Sequence, residues 1–303
     1  MKMLFCSDGS HQAENAVRFG ALIAAACEAE PAILGIVERA SDQEPLLQAL
    51  RREQDILRDY HLNAELITKA GHPVQEIVKR TREESYDLVV IGAVCKGVRG
   101  PLWMSARAYR IIESVQPPVL VVIGERSVLR RILICTSGGS QADKAVAFAC
   151  EIARMGSAVV DLIHVMAEPP AMYADLIGVE EDASRLLASN SQLGRTLRHQ
   201  KDLLEQAGVF GEFRLRHGLV VPEILRELQR TDYDLVVAGS SPSEDMLRQY
   251  VIGDVTHEIV DRAELPVLVV RTESRHIVRR VGALVASMFR RHRRTSEAVG
   301  GEG

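Results

Sequence analysis

Two stretches of the first half combine residue types that suit a small polar or anionic ligand. Asp8-Gly9-Ser10 follows the apolar run Met3-Leu4-Phe5-Cys6 and opens a helix-like segment. A carboxylate there accepts hydrogen bonds, glycine permits a tight turn, and Ser10 suits an N-cap. Farther on, Gly92-Ala93-Val94-Cys95-Lys96-Gly97-Val98-Arg99-Gly100 leads into a second helix-like run. Backbone N–H groups at glycines and at a helix start, joined by Lys96 and Arg99, suit an anion. A plainer reading stands beside this one, with Asp8 as a turn or cap residue and Lys96 and Arg99 as a solvated loop. Cys95 is either a thiol activated by its basic neighbours or an inert small residue.

Other chemistry is disfavoured. Neither Gly-x-Gly-x-x-Gly nor Gly-x-x-x-x-Gly-Lys-Ser/Thr occurs, which argues against a dinucleotide dehydrogenase and a Walker-type NTPase. No Ser/His/Asp arrangement, carboxylate pair or metal-ligand cluster stands out, so no catalytic residue and no metal site is assigned. The chain reads as a binding protein and not as an enzyme.

The elements that must position these residues occur twice. Tyr86-Asp87-Leu88-Val89-Val90-Ile91-Gly92 returns as Tyr233-Asp234-Leu235-Val236-Val237-Ala238-Gly239, and Pro118-Val119-Leu120-Val121-Val122 as Pro266-Val267-Leu268-Val269-Val270. Cys6-Ser7-Asp8-Gly9 is answered by Cys135-Thr136-Ser137-Gly138. The offset between copies grows from 129 to 147 residues, so the second copy carries an 18-residue insert between the Val37/Met166 and Gly71/Gly218 regions. Each half alternates five short apolar runs with four amphipathic ones. Apolar runs without polar alternation suit strands buried on both faces, and the order implies an open parallel α/β sheet. Helices are expected over 10–28, 42–60, 73–84 and 102–115, then over 141–155, 182–206, 222–230 and 246–263. In such a sheet a ligand sits beyond the carboxyl ends of the strands.

The 303 residues suffice for two domains, each with its own core. Lys and Arg number 37 against 41 Asp and Glu, a net charge of −4. Residues 271–294 hold eight Arg and one Glu, a local +7, which leaves −11 elsewhere and argues against nucleic-acid binding by the main body. Five Cys without a Cys-x-x-Cys spacing suit reduced thiols. With no signal peptide and no apolar run near the ~20 residues a bilayer requires, a cytoplasmic location is expected.

Taken together, the Asp8-Gly9-Ser10 opening, the Gly71-His72-Pro73 turn, the Tyr86–Gly92 strand and the Pro118–Val122 finish resemble the universal stress protein family, in both halves. The resemblance implies α/β architecture: two tandem five-stranded, Rossmann-like domains, 1–124 and 130–271, paired through their final strands as an internal pseudo-dimer. It also implies a cytoplasmic stress-response or signalling role without catalysis. Members that bind ATP carry Gly-x-x-Gly, about nine residues, then Gly-Ser/Thr. Here Cys95 replaces the second glycine and Ser105-Ala106 the Gly-Ser; in the second half Ser137 replaces the Asp, Pro242 the glycine and Gly253-Asp254 the Gly-Ser. Pro242 removes an N–H, and Asp254, with Glu244 and Asp245 nearby, would repel phosphate by about 1–4 kcal/mol per pair at 4 Å. A Cβ at Cys95 costs roughly 1 kcal/mol if φ must be positive. The resemblance thus leaves ATP or AMP to the first half alone, with Asp8 and Ile36 toward adenine and Gly92, Lys96, Gly97 and Ser105 toward ribose and phosphates. Ser105 also reads as an ordinary helix residue, and His164 as a packing residue.

Residues 272–303 form a basic extension. Ile277, Val281, Leu284, Val285 and Met288 share a helical face flanked by arginines, which suits either an anionic membrane surface, a protein partner, or folding back on the chain. An alternative function follows: a nucleotide-independent interaction scaffold, or a regulator of a membrane transporter, acting through this tail. Further dimerisation is open.

Overall fold

The structure, a computed structural model, describes residues 1–93, 106–139, 142–167, 183–240 and 255–271. The first half contains β1 (Lys2–Ser7), α1 (His11–Ala26), β2 (Glu30–Val37), α2 (Gln43–Asp59), β3 (Glu65–Ala70), α3 (Pro73–Glu83), β4 (Leu88–Gly92), α4 (Ala106–Ser114) and β5 (Val119–Val122). The second contains β6 (Arg131–Thr136), α5 (Asp143–Gly156), β7 (Val159–Met166), α6 (Ala183–Ala188), α7 (Gln192–Gln206), β8 (Phe213–His217), α8 (Val220–Arg230), β9 (Leu235–Ser240) and β10 (Val267–Arg271). Residues 255–262 are helical as well.

All ten strands join one sheet in the order β3-β2-β1-β4-β5-β10-β9-β6-β7-β8. Within each half the pairing is parallel; only β5 and β10 run antiparallel, with Leu120 opposite Leu268. This is the expected pair of five-stranded Rossmann-like units, joined through their last strands. The central strands are buried on both faces. One core layer lies under α1, α2, α5 and α7, and the other under α3, α4, α8 and residues 255–262.

The join has a local two-fold character. Tyr109 and His257 stand 148 residues apart, as do Pro118 and Pro266. Their rings stack across the join, centroids 4.5 Å apart and planes 5° from parallel. Each ring also meets the other half's equivalent carboxylate: His257 Nε2 lies 3.4 Å from Glu113, and the Tyr109 hydroxyl hydrogen-bonds Asp261.

The repeated Tyr-Asp pair anchors the opposite, amino-terminal end of the strands. Asp87 accepts the Lys2 N–H at 2.7 Å; Asp234 accepts those of Arg130 and Arg131 at 2.7 and 3.0 Å. In the second half the Tyr233 hydroxyl donates to Asp161 at 2.7 Å. Burial alone would raise the Asp161 pKa, but the Glu212 N–H, Tyr233 and Arg131 together hold it below the ordinary carboxylate range.

Two expectations need correction. The single helix expected over 182–206 is two, α6 and α7, broken at Ser189-Asn190-Ser191. Ser191 caps α7 by accepting the Gly194 N–H at 3.0 Å, and Gly194 lies so close to the end of α6 that a Cβ would stand 2.4 Å from the Leu186 carbonyl. Polar residues that bond locally end one helix and start the next. Helix α8 begins at Val220 and not at Pro222, because Pro222 still falls in the first turn, where its missing N–H is harmless. The first 15 residues after Ala167 of the insert and the tail 272–303 lie outside the described residues.

Tyr109→Ala is expected to destabilise the chain by about 1–3 kcal/mol, since it removes the stack and the Asp261 bond. Urea unfolding checks this; a midpoint unchanged from wild type would show that the stack does not hold the halves together.

Candidate functional site

The first crevice lies where β1 and β4, neighbours reached from opposite directions along the chain, end side by side. Ser7 closes β1, and its hydroxyl does two things. It accepts the Gly9 N–H at 3.0 Å and donates to Glu53 Oε1 of α2 at 2.6 Å. Gly9 takes φ +76°, and a Cβ there would stand 3.0 Å from Ala49, so both conformation and space require glycine. Asp8 stands exposed at the tip of the turn; its Oδ1 accepts the Ser10 N–H at 3.0 Å, and Oδ2 has no partner among the described residues. Ser10 caps α1 as expected, accepting the Ala13 N–H at 3.2 Å. The turn therefore fixes one carboxylate oxygen of the exposed Asp8 side chain, as a turn residue does, and engages the other in no bond to the described residues.

Ile36 is half-buried near the end of β2, against the apolar layer that includes Leu34 and Val74. Gly92 ends β4, but its bareness serves packing: a Cβ would fall 2.4 Å from the Gln12 carbonyl oxygen and 2.9 Å from the Ala13 nitrogen. The first turn of α1 sits directly on it. Asp8 and Gly92 are thus brought to one crevice through that turn, with Ile36 on the adjacent strand. Lys96, Gly97 and Ser105, like Cys95 and Arg99, lie outside the described residues, as do Pro242, Glu244, Asp245, Gly253 and Asp254.

The second half reproduces the turn with other chemistry at its tip. Gly138 has φ +75°, and its N–H reaches Thr136 Oγ1 at 3.0 Å, matching Gly9 and Ser7. Ser137 replaces Asp8. His164, 7% exposed, donates through Nδ1 to the Thr136 carbonyl at 3.0 Å, and burial lowers its pKa. It packs against Gly138, consistent with a packing residue. Cys6 and Cys135 occupy matching positions on central strands, and burial pushes both thiols up to about 12, which leaves them unreactive.

The residues overlooked in the sequence are Glu53 and Gln200. They are equivalent, both on helix faces that bury against the sheet, and 2% and 0% exposed. Thr136 donates to Gln200 Oε1 at 2.7 Å as Ser7 does to Glu53. Gln200 Nε2 donates onward to the Gly139 carbonyl at 3.2 Å and to Asp143 at 2.9 Å. Glu53 Oε2 has no such bond and is a buried polar atom without a partner among the described residues. Burial pushes the Glu53 carboxyl up to about 7; the Ser7 hydrogen bond opposes this, the Asp8 and Glu14 charges reinforce it, and Arg52 opposes it. The signal was available: Leu46, Leu50 and Leu57 form a helical stripe that passes through position 53, as Leu197 and Leu204 do through 200.

Among the described residues no group of three or more His, Cys, Asp or Glu is placed to hold a metal, and no helix is long and apolar enough to cross a membrane. Residues 1–122 and 129–271 each match the family model of the universal stress proteins, and the chain belongs to that family. It is similar to universal stress protein MJ0531 of Methanocaldococcus jannaschii, 26% identical over 166 residues that span 55% of this chain and 92% of that protein. It is also similar to universal stress protein YxiE of Bacillus subtilis, 24% identical over 149 residues, 48% of this chain and all of that one. The fold matches a universal stress protein structure from Archaeoglobus fulgidus, with TM-score 0.69, 16% identity, and coverage of 89% of this chain and 98% of that one. A Pseudomonas aeruginosa protein of unknown function matches with TM-score 0.68 and 16% identity, over 94% and 97% of the two chains.

Gly92, which ends β4, and its equivalent Gly239, next to last in β9, make a controlled pair. Gly92→Ala should cost about 1–3 kcal/mol, since backbone blocks the new methyl, whereas Gly239→Ala should stay within about 1 kcal/mol because its nearest neighbour among the described residues, Ala145 Cβ, is 4.0 Å away. Thermal unfolding of the two variants decides; equal losses would refute the packing role given to Gly92.

Proposed function

We propose that this universal stress protein works by binding and not by catalysis, with one adenine-nucleotide site in its first half and none in its second. The supporting observation is the contrast between two turns of one geometry. Both place a hydroxyl under a glycine N–H at 3.0 Å with φ near +75°, yet one presents Asp8 and the other Ser137. A carboxylate with a free oxygen accepts from an amino group or ribose hydroxyl, and such a charged hydrogen bond adds about 1.5–3 kcal/mol. In this reading Asp8 and Ile36 face adenine, and Gly92, Lys96, Gly97 and Ser105 face ribose and phosphates of ATP or AMP. Gly92 contributes by seating α1, whose free N–H groups then point toward the crevice. A bound nucleotide would favour one arrangement of the two halves and so change the surface that a cytoplasmic protein partner meets.

Calorimetry with ATP and AMP tests this on the full chain. Wild type is expected to bind one nucleotide per chain, Asp8→Ala to bind about 10- to 100-fold more weakly, and Ser137→Ala to bind as wild type does. Absence of heat at millimolar nucleotide would end the proposal, as would Asp8→Ala binding with unchanged affinity.

A further inference from the structure

We propose that Glu53 is a positioning residue for the Asp8 turn, acting through Ser7, and that its protonated form holds the turn more firmly than its ionised form. This deepens the nucleotide-site reading and rests on it for its effect on ligand, but not for its effect on the turn.

The second half shows what a neutral side chain does at this position. Gln200 accepts from the Thr136 hydroxyl with its oxygen and donates with its nitrogen to Gly139 and Asp143, so that it ties α7 to the start of α5. The first-half equivalents of Gly139 and Asp143, 129 residues earlier, are Ser10 and Glu14. A protonated Glu53 has the same pattern, one acceptor oxygen, which takes the Ser7 hydroxyl, and one donor. An ionised Glu53 has no donor, and it sets a buried negative charge against two others.

The charged groups facing it are few. Asp8 belongs to the turn; Glu14, paired with Arg18 at 2.6 Å, comes from α1; Arg52 is its neighbour on α2. The stretch of β2 along α2, residues 31–37, carries no charge, and Glu65 and Lys69 of β3 are exposed. His11, exposed on the first turn of α1, is the remaining ionisable side chain there. Ionisation of Glu53 therefore adds repulsion toward Asp8 and Glu14, both attached to the segment that Ser7 anchors. It also adds negative charge behind a crevice read as taking a polyanion. Both effects, with burial, favour the protonated form and outweigh the Ser7 hydrogen bond, which favours the ionised one.

The sign of the linkage is fixed by the raised carboxyl pKa. In the folded chain the proton is held up to about pH 7, while the unfolded chain releases it near 4.5. Stability from this group is complete below the lower value and is lost as pH rises through the upper one.

The first measurement uses the full-length chain without nucleotide: amide hydrogen exchange of residues 9–13 at pH 6 and 8, corrected for intrinsic rates, in wild type and Glu53→Gln. Wild type should lose about 3- to 10-fold in protection from pH 6 to 8, and Glu53→Gln should keep the pH 6 level at both. Glu53→Gln should also raise the pH 8 melting temperature by roughly 2–6 °C. Taking the difference between the two proteins removes any contribution from His11. Equal pH profiles in both would overturn the proposal. If Glu53→Gln fails to fold, that itself contradicts the view of Gln as the neutral mimic, and Ser7→Ala serves as the second variant: its exchange should be fast and insensitive to pH.

The second measurement is binding of adenosine, which carries no phosphate to titrate, at the same two pH values. Wild type should bind about 3- to 10-fold more tightly at pH 6, and Glu53→Gln equally at both. Adenosine affinity independent of pH in wild type would overturn the link from Glu53 to the ligand. No binding of adenosine or nucleotide at either pH would instead refute the nucleotide reading, while the exchange result would still decide the role of Glu53 in the turn.

Discussion

The antiparallel pairing of β5 with β10 is the constraint on which the rest of the architecture depends. Each strand is buried on both faces, and each would otherwise be the hydrophobic edge of a five-stranded sheet, open to pairing with another chain. Joining them removes two edges at once and leaves β3 and β8 as the outer strands; β3 carries Glu65 and Lys69, and β8 carries Arg214 and Arg216. The join also fixes direction. Because strands are parallel within a half and antiparallel across the seam, the carboxyl ends of the two halves point to opposite ends of the sheet. The two crevices therefore cannot share a ligand. Communication between them must cross the seam, where Tyr109 stacks on His257 and Arg271 donates to the Glu113 carbonyl.

Much of this was legible in the sequence because the signals were redundant. Five apolar runs between amphipathic runs, repeated in the same order, specify a parallel sheet twice, and the family resemblance implied that the paired Val-Leu-Val-Val finishes are the strands that meet. Helix ends were legible where a residue acts locally, as Ser10 does on Ala13. They were not legible where tertiary contact decides. In 182–206 the local signal of Ser189 and Ser191 is outweighed by the long helical pattern around it, and the close fit of Gly194 shows only once the Leu186 carbonyl arrives. The same holds for the close fit of Gly92 under α1, which shows only once the Gln12 carbonyl is in place. Asp8 could be named from its place between strand and helix, whereas Glu53 could not, because charged residues on helices are normally solvated. Its burial follows from its place on the apolar stripe of α2, a pattern visible in the sequence but outweighed there by residue type.

Duplication within one chain explains how a buried carboxylic acid can persist on one side only. In a dimer of identical chains, any residue beneath the crevice turn appears under both crevices, with its desolvation cost doubled. In a fused pair the copies are free to differ while the seam and the strand anchors stay common. The features held in both halves are those that build the fold: the buried Tyr86 and Tyr233, the Asp87 and Asp234 tethers, and the left-handed Gly9 and Gly138. Among the described residues of the two crevices, the differences include the tip of the β1 turn and the position directly beneath it, Asp8 against Ser137 and Glu53 against Gln200. An amide at position 53 would keep an acceptor for the Ser7 hydroxyl, as Gln200 does for Thr136, and would place no ionisable group in a buried position beside Asp8 and Glu14. Stability alone therefore favours glutamine in both halves. A glutamate lies instead under the one turn that carries an exposed carboxylate, so its presence is better explained by what that turn does than by how the domain folds.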